Sequence, residues 1–198
     1  MLALILIYKL RVAVTGPHRQ PKTSDHPSYE VDQCVSLTMC RDTFSIPEVT
    51  LRPVTLADIE IILRHRREMF REMGGHYAEL LERFELASRS YFQIALTAGG
   101  YYGVFAELRG EVVAGGGIVI VDWPGSPLNF EPKRAWILNV YVEPLERRRG
   151  LARLIMEALI DWCRSNGFRS VALHASEDGH QVYEKLGFRG TNEMRLYL

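Results

Sequence analysis

The sequence predicts an α/β layered domain with a mixed sheet, and three observations carry that reading. Apolar residues recur at helical spacing over 56–70, at strand spacing through 101–142, and at helical spacing again after 150. Arg109-Gly110 divides two strand-like runs as a hairpin turn does. A strand, a tight turn and a helix then follow one another without a linker across 137–162.

The elements can be justified in order. A first strand is expected over 49–52, closed by Pro53. Thr55 ahead of Ala57 and Asp58 is an N-cap signal, and the helix it opens carries Leu56, Ile59, Ile62, Leu63, Met69 and Phe70 toward a Gly74-Gly75 stop. A second helix is expected over 77–98, again ended by a pair of glycines. Strands over 101–108, 111–121 and 135–142 form a meander, with Pro124, Gly125, Ser126 and Pro127 as a loop. Leu151, Leu154, Ile155, Ala158, Leu159 and Trp162 make an apolar stripe with Arg153, Glu157, Asp161 and Arg164 opposite, the most regular helix of the chain. Asn166-Gly167 ends it. A strand over 170–175, a short helix over 178–186 stopped by Gly187, and a closing strand over 194–198 complete the order β-α-α-β-β-β-α-β-α-β.

Composition narrows the function classes. Of 198 residues, 47% are hydrophobic and 24% charged, enough for a core and too apolar for wholesale disorder. Lys plus Arg equals Asp plus Glu at 24 each, so the long-range positive field of a dedicated nucleic-acid or membrane-surface protein is missing. Cys34, Cys40 and Cys163 are odd in number and form no CxxC pair, which indicates neither a disulfide framework nor a zinc site and suits a reducing cytoplasm. His65, His76 and His180 show no ligand spacing, and no metal is expected. Met1 to Tyr8 is apolar, but Lys9 and Arg11 follow it where a signal peptide carries its charge before. Eight apolar residues are also too few for stable membrane association. Pro17, Pro21 and Pro27 break up the following stretch. The chain therefore divides into an N-terminal extension, 1–45, flexible or a gene-model artefact, and a domain over 46–198.

The chemistry is concentrated at Val142-Glu143-Pro144-Leu145-Glu146-Arg147-Arg148-Arg149-Gly150-Leu151-Ala152. The first N–H groups of the helix opening there have no intrahelical partner, and with the helix dipole they make an anion site. Gly150 permits close approach by a phosphate and Ala152 does not block it. The arginines add charge and forked donors. An isolated Arg-Arg-Arg-Gly is more often a surface turn, and Glu143 and Glu146 argue against a nucleic-acid patch.

The segment resembles the acetyl-CoA loop of the GCN5-related N-acetyltransferases (GNAT), [Q/R]-x-x-G-x-[G/A], with Arg147, Gly150 and Ala152 at its fixed positions. Asn139-Val140-Tyr141-Val142-Glu143-Pro144 resembles the family's splayed fourth strand, and Val182-Tyr183-Glu184-Lys185-Leu186-Gly187-Phe188 its YEKLGF helix end. The resemblance covers about 48–198 in the right order. It implies a mostly antiparallel mixed sheet flanked by helices and splayed between strands 4 and 5. It implies acetyl-CoA as acyl donor, with backbone groups of Val140, Tyr141 and Val142 on the pantetheine arm. Arg147, Arg148, Arg149, Gly150, Leu151, Ala152 and Arg153 would surround the pyrophosphate. Ser176 stands where the family often has an asparagine on the cofactor, with a shorter reach.

Tyr183 is the catalytic candidate that the resemblance implies: a phenol near the sulfur protonates the departing CoA thiolate. Taken alone it would be a core tyrosine. The base is not identified. Some relatives carry a glutamate where this chain has Val171, leaving Glu143, Asp122 and His174; His174 read by itself is a buried, hydrogen-bonded histidine. Gly115-Gly116-Gly117 marks a bulge or close approach, or room for the acceptor. The corner at Phe70-Arg71-Glu72-Met73-Gly74-Gly75 should flank the acceptor. Cys163 is expected in the core.

Two functions follow. One is N-acetyl transfer to a primary amine, small-molecule or peptide, by direct attack in a ternary complex. The other is a CoA-binding regulatory or interaction domain without turnover. A homodimer is compatible with either. Initiation at Met39 would account for the upstream segment; N-terminal sequencing of the native protein should then begin at Met39, and recovery of residues 1–38 would refute it.

Overall fold

The computed structural model describes residues 46, 48–73, 80–127 and 129–196. The expected N-terminal extension with Met39, the Gly74-Gly75 stop and the start of the second helix at 77 lie outside the described residues. The elements are β1 (Val49–Pro53), α1 (Ile59–Glu72), α2 (Leu81–Thr97), β2 (Tyr101–Leu108), β3 (Glu111–Asp122), β4 (Lys133–Val142), α3 (Leu151–Ser165), β5 (Val171–Leu173) and α4 (Glu177–Lys185). Among the described residues, no helix is long and apolar enough to cross a membrane.

Local chemistry explains the boundaries. Asp58 Oδ2 accepts from both the backbone N–H and the hydroxyl of Thr55 at 2.8 Å, so the chain enters α1 through a short 3₁₀ turn. Arg52 holds the same carboxylate through two nitrogens at 2.8 Å, tying β1 to that turn. Arg109 and Gly110 have φ of 54° and 85°, the left-handed pair that a tight hairpin between β2 and β3 requires.

The sheet order is β1-β2-β3-β4-β5, antiparallel throughout except for the parallel pair β4–β5. α3 packs on one face and α1 with α2 on the other. On the α3 face, Ala114, Ile118 and Ile137 meet Leu151, Ile155 and Leu159. Cys163 is in this core, and burial pushes its thiol up to about 11, so it is an inert packing residue. On the other face, Ile62 and Leu63 meet Phe92, Tyr101 and Phe105. Each such side chain contributes roughly 1.5–3 kcal/mol of burial.

Two expectations change. Among the described residues, 189–196 form no strand, although Met194 and Leu196 alternate with polar neighbours; both remain exposed at 95% and 80%. Arg195 instead joins Glu193 and His174 at the end of β5. β5 itself pairs only Val171, Ala172 and Leu173. An alternating pattern makes a strand only where a partner edge and a face to bury are available.

The three glycines of β3 are explained by neighbours, not by room for an acceptor. A Cβ at Gly115 would meet the Phe105 ring at 2.5 Å, one at Gly116 would meet Ile155 at 2.8 Å, and one at Gly117 would overlap the Tyr101 hydroxyl at 2.0 Å. Register does shift here, because β4 puts an extra residue opposite Gly116. Gly117→Ala should lower stability by about 1–3 kcal/mol through overpacking, read as a lower denaturation midpoint. A midpoint equal to wild type would contradict this packing.

Candidate active site

The site grows from the way β4 treats its two edges. Toward β3 it is paired along its length. Toward β5 the pairing ends with Ile137–Leu173, and among the described residues no strand lies beside the edge over 138–142. Asn139 makes the departure abrupt. Its φ of 60° is left-handed, and the register slips between Gly115 and Gly117 opposite it. Before the bulge, Ala135 and Ile137 face α3. After it, Val140 reaches the α3 side and Tyr141 the α1 side, while Leu138 lies with the α1 and α2 core.

The free backbone groups follow from ladder alternation. Glu143 N donates to Val113 O at 2.9 Å, so Glu143 and Tyr141 face β3 with their backbone groups, and Val140 and Val142 face away. Arg147 Nε takes the Val142 carbonyl at 3.0 Å. The Val142 N–H and both groups of Val140 remain directed into the gap. Of the three residues expected on a pantetheine arm, Val140 and Val142 therefore present groups there, and Tyr141 packs its ring 4.9 Å from His65.

The loop that follows is a 3₁₀ turn, Pro144–Glu146, and then the arginines. Arg148 and Gly150 both have positive φ, 63° and 85°, turning the chain sharply into α3. Leu154 N is the donor to Gly150 O at 3.0 Å, so the N–H groups of Leu151, Ala152 and Arg153 have no intrahelical acceptor. Leu151 is buried, which fixes where this first turn sits on the sheet.

The three arginines differ. Arg147 is bound at 2.7 Å to both Glu72 oxygens at the end of α1, with its guanidinium over the Tyr141 ring at 5.7 Å. Arg149 pairs with Glu146 and Arg153 with Glu157. Arg148 is exposed and has no ion pair among the described residues. Arg147 thus splices the loop to α1, and Arg148 is the side chain available to an incoming anion.

Ser176 caps α4, its Oγ accepting from Gly179 N at 3.2 Å. The Tyr183 ring packs on the α3 core and edge-on to Phe188 at 6.0 Å. Gly179 is needed for that pose, since a Cβ there would come within 2.7 Å of the ring. Burial pushes the Tyr183 phenol above its ordinary value, so it is protonated at neutral pH.

The candidate bases separate. Glu143 holds Arg64. Asp122 is opposite Lys133 at the other end of β4, roughly 20 Å along the strand from Val140. His174 is not buried as expected: its side chain is 54% exposed, 5.0 Å from the Trp136 ring. Its Nε2 is 2.5 Å from Arg195 Nη2 and 3.3 Å from Glu193 Oε1.

Sequence reasoning missed His65, Arg66 and Asn139. His65 is 2% exposed between Phe105 and Tyr141, and its Nε2 lies 3.2 Å from Arg64 Nη2 and 3.6 Å from Glu143 Oε1. Burial is the larger influence and Arg64 adds to it, so the imidazole is pushed down to about 4. Glu143 does not reverse this because Arg64 already neutralises it. The available signal was a polar pair inside the apolar run of α1, and an asparagine inside an apolar strand.

This geometry, a splayed and bulged fourth strand running into an amide-rich helix start, can be compared with known proteins. The Acetyltransferase (GNAT) family model matches residues 60–188. The chain belongs to the GNAT acetyltransferase family. A solved GCN5-related N-acetyltransferase from Ralstonia eutropha JMP134 is 33% identical, with 76% of this chain and 98% of that one covered and a TM-score of 0.72. A predicted acetyltransferase from Clostridium acetobutylicum, solved with acetyl-CoA, is 23% identical over 76% of this chain and 96% of its own, with a TM-score of 0.69. An aminoglycoside N-acetyltransferase solved with CoA is 18% identical over 78% and 98%, with a TM-score of 0.57, a likeness of fold. No curated protein matches.

His65 gives this acetyltransferase a pH signature. Its folded value lies below its unfolded one, so the unfolded chain binds the extra proton between about 4 and 6.5. Stability is full above about pH 7 and falls by on the order of 3 kcal/mol as pH drops through that window. Urea titrations at pH 5 and 7 should show about 2 kcal/mol of this loss in wild type and a smaller one in His65→Leu. Equal losses in both would remove His65 as the cause.

Proposed function

We propose that this acetyltransferase moves an acetyl group from acetyl-CoA to a primary amine by direct attack in a ternary complex. The observation that carries the reading is the pairing of two unsatisfied backbone surfaces. The N–H groups of Leu151, Ala152 and Arg153 suit a diphosphate, and the open β4 edge at Val140 and Val142 suits an extended amide-bearing arm. Arg148 and Gly150 support the first surface by charge and by clearance.

Acetyl-CoA supplies an activated thioester when bound. Strand N–H groups beside the Asn139 bulge stabilise negative charge developing on the carbonyl oxygen. Tyr183 gives its phenolic proton to the departing sulfur and recovers one from solvent. The attacking amine loses its proton to water; His174 Nε2, 2.5 Å from Arg195 Nη2, is not open to it. No nucleophilic side chain is needed, consistent with a buried Cys163. The remainder of the rate comes from holding the amine against the thioester.

Calorimetry with acetyl-CoA and thiol release over an amine panel test this. Gly150→Val should weaken acetyl-CoA by at least about tenfold, because a β-branched residue resists a φ of 85° and crowds the amides. Tyr183→Phe should lower kcat by about 10²-fold with acetyl-CoA affinity unchanged, and the wild-type rate should hold to above pH 10 before the phenol ionises. Undiminished turnover in Tyr183→Phe would remove the phenol as the acid. Tight CoA binding with no amine acetylated would favour a CoA-binding module.

A further inference from the structure

Arg66 has no role in the chemistry above, and its surroundings are unusual. Its guanidinium carbon lies 5.5 Å from the Phe70 ring centre, 5.0 Å from Phe84 and 5.4 Å from Phe92. Nη1 donates to a neutral acceptor, Asn139 Oδ1. Nε is enclosed and has no hydrogen-bond partner. Its neighbours on α1 differ: Arg64, Arg67 and Arg71 each hold a carboxylate. Among the described residues, none pairs with Arg66. Aromatic faces stabilise a cation but accept no hydrogen bond along the guanidinium plane. A largely desolvated arginine without a counter-ion is costly, and it is still charged at neutral pH.

Arg66 also lines a cavity of about 410 Å³, the size of a small-molecule site, together with Phe84, Ser88, Tyr91, Val119 and Leu138. Ser88 and Tyr91 make no hydrogen bond among the described residues, so their hydroxyls are available. The remaining wall is apolar. Leu138 directly precedes the bulge, and Arg66 holds the bulge residue Asn139 itself. The cavity therefore adjoins the point where β4 leaves β5, on the face opposite α3.

We propose that Arg66 recognises an anionic oxygen group, a carboxylate or a phosphate, on the acceptor amine. The inference rests on the acetyl-transfer reading and names its substrate class. Attraction at Arg66 and repulsion of the ammonium together orient the acceptor, its anion in the aromatic cage and its amine toward the open edge of β4. The apolar wall takes an aliphatic or aromatic body. Purely cationic amines are disfavoured, because they bring positive charge to an uncompensated guanidinium.

The test compares matched amines that differ only in the anion: phenylalanine with phenylalaninamide, 4-aminobutyrate with 4-aminobutanamide, and 2-aminoethyl phosphate with 2-aminoethanol. In wild type, the anionic member of at least one pair should have a kcat/KM at least about tenfold higher, and the pair concerned distinguishes carboxylate from phosphate. Arg66→Gln should bring that pair within about threefold, mainly through KM, with acetyl-CoA affinity unchanged; Arg66→Lys should keep part of the preference. As a probe independent of turnover, 3-phenylpropionate and inorganic phosphate are titrated into the CoA-loaded protein. Saturable binding of one of them, lost in Arg66→Gln, is expected. Equal use of neutral and anionic partners, no binding of either probe, or a preference that survives in Arg66→Gln overturns the proposal. The wild-type comparisons decide even if Arg66→Gln does not fold. Failure of acetyl-CoA itself to bind is a different result and overturns the acetyl-transfer reading.

Discussion

β4 cannot satisfy both of its edges along its whole length, and the rest of the site depends on that constraint. Pairing with β3 runs the length of the strand apart from the bulge at Asn139, but β5 supplies only three residues. The left-handed Asn139 then rotates the strand so that Val140 and Tyr141 exchange the faces that simple alternation would assign them. Unpaired backbone groups inside a fold are expensive unless something meets them. Here they border a gap, so an extended ligand can complete the sheet where the protein does not.

Ion pairs join this strand to the helix in front of it. Glu72 holds Arg147 across from the loop, Arg64 holds Glu143 at the strand end, and His65 fills the space between the Phe105 and Tyr141 rings. Exposed pairs of this kind contribute about 0–1 kcal/mol each, so their importance is geometric. They fix the end of α1 against the C-terminal end of β4. The loop carrying Gly150 is thereby set relative to both. On the opposite face, the buried stripe of α3 holds the first helical turn in place through Leu151.

Some of this was legible before any coordinates. The apolar stripe of α3 needs only helical periodicity, and the Arg109-Gly110 turn needs only the freedom of Gly110 to take a left-handed φ. Met194 and Leu196 alternate with polar residues as a strand's do and yet form none, because alternation carries no information about whether a partner edge exists. His174 was misjudged for a related reason: its exposure depends on how soon β5 ends. Asn139 was visible as a polar residue in an apolar strand. Its meaning as a bulge required the register of β3, which no local pattern encodes.

By itself, the sequence determined the family membership and most of the element types, because these rest on periodicity, backbone preference and short motifs that act over a few residues. Tertiary structure decided which groups are left unsatisfied. Arg147 is committed to Glu72 from 75 residues away, while Arg66 is set among aromatic rings without a carboxylate among the described residues. Two arginines of the same chemistry thus acquire different capacities. The reason is that hydrogen bonding and desolvation depend on neighbours in space, which chain order alone does not specify.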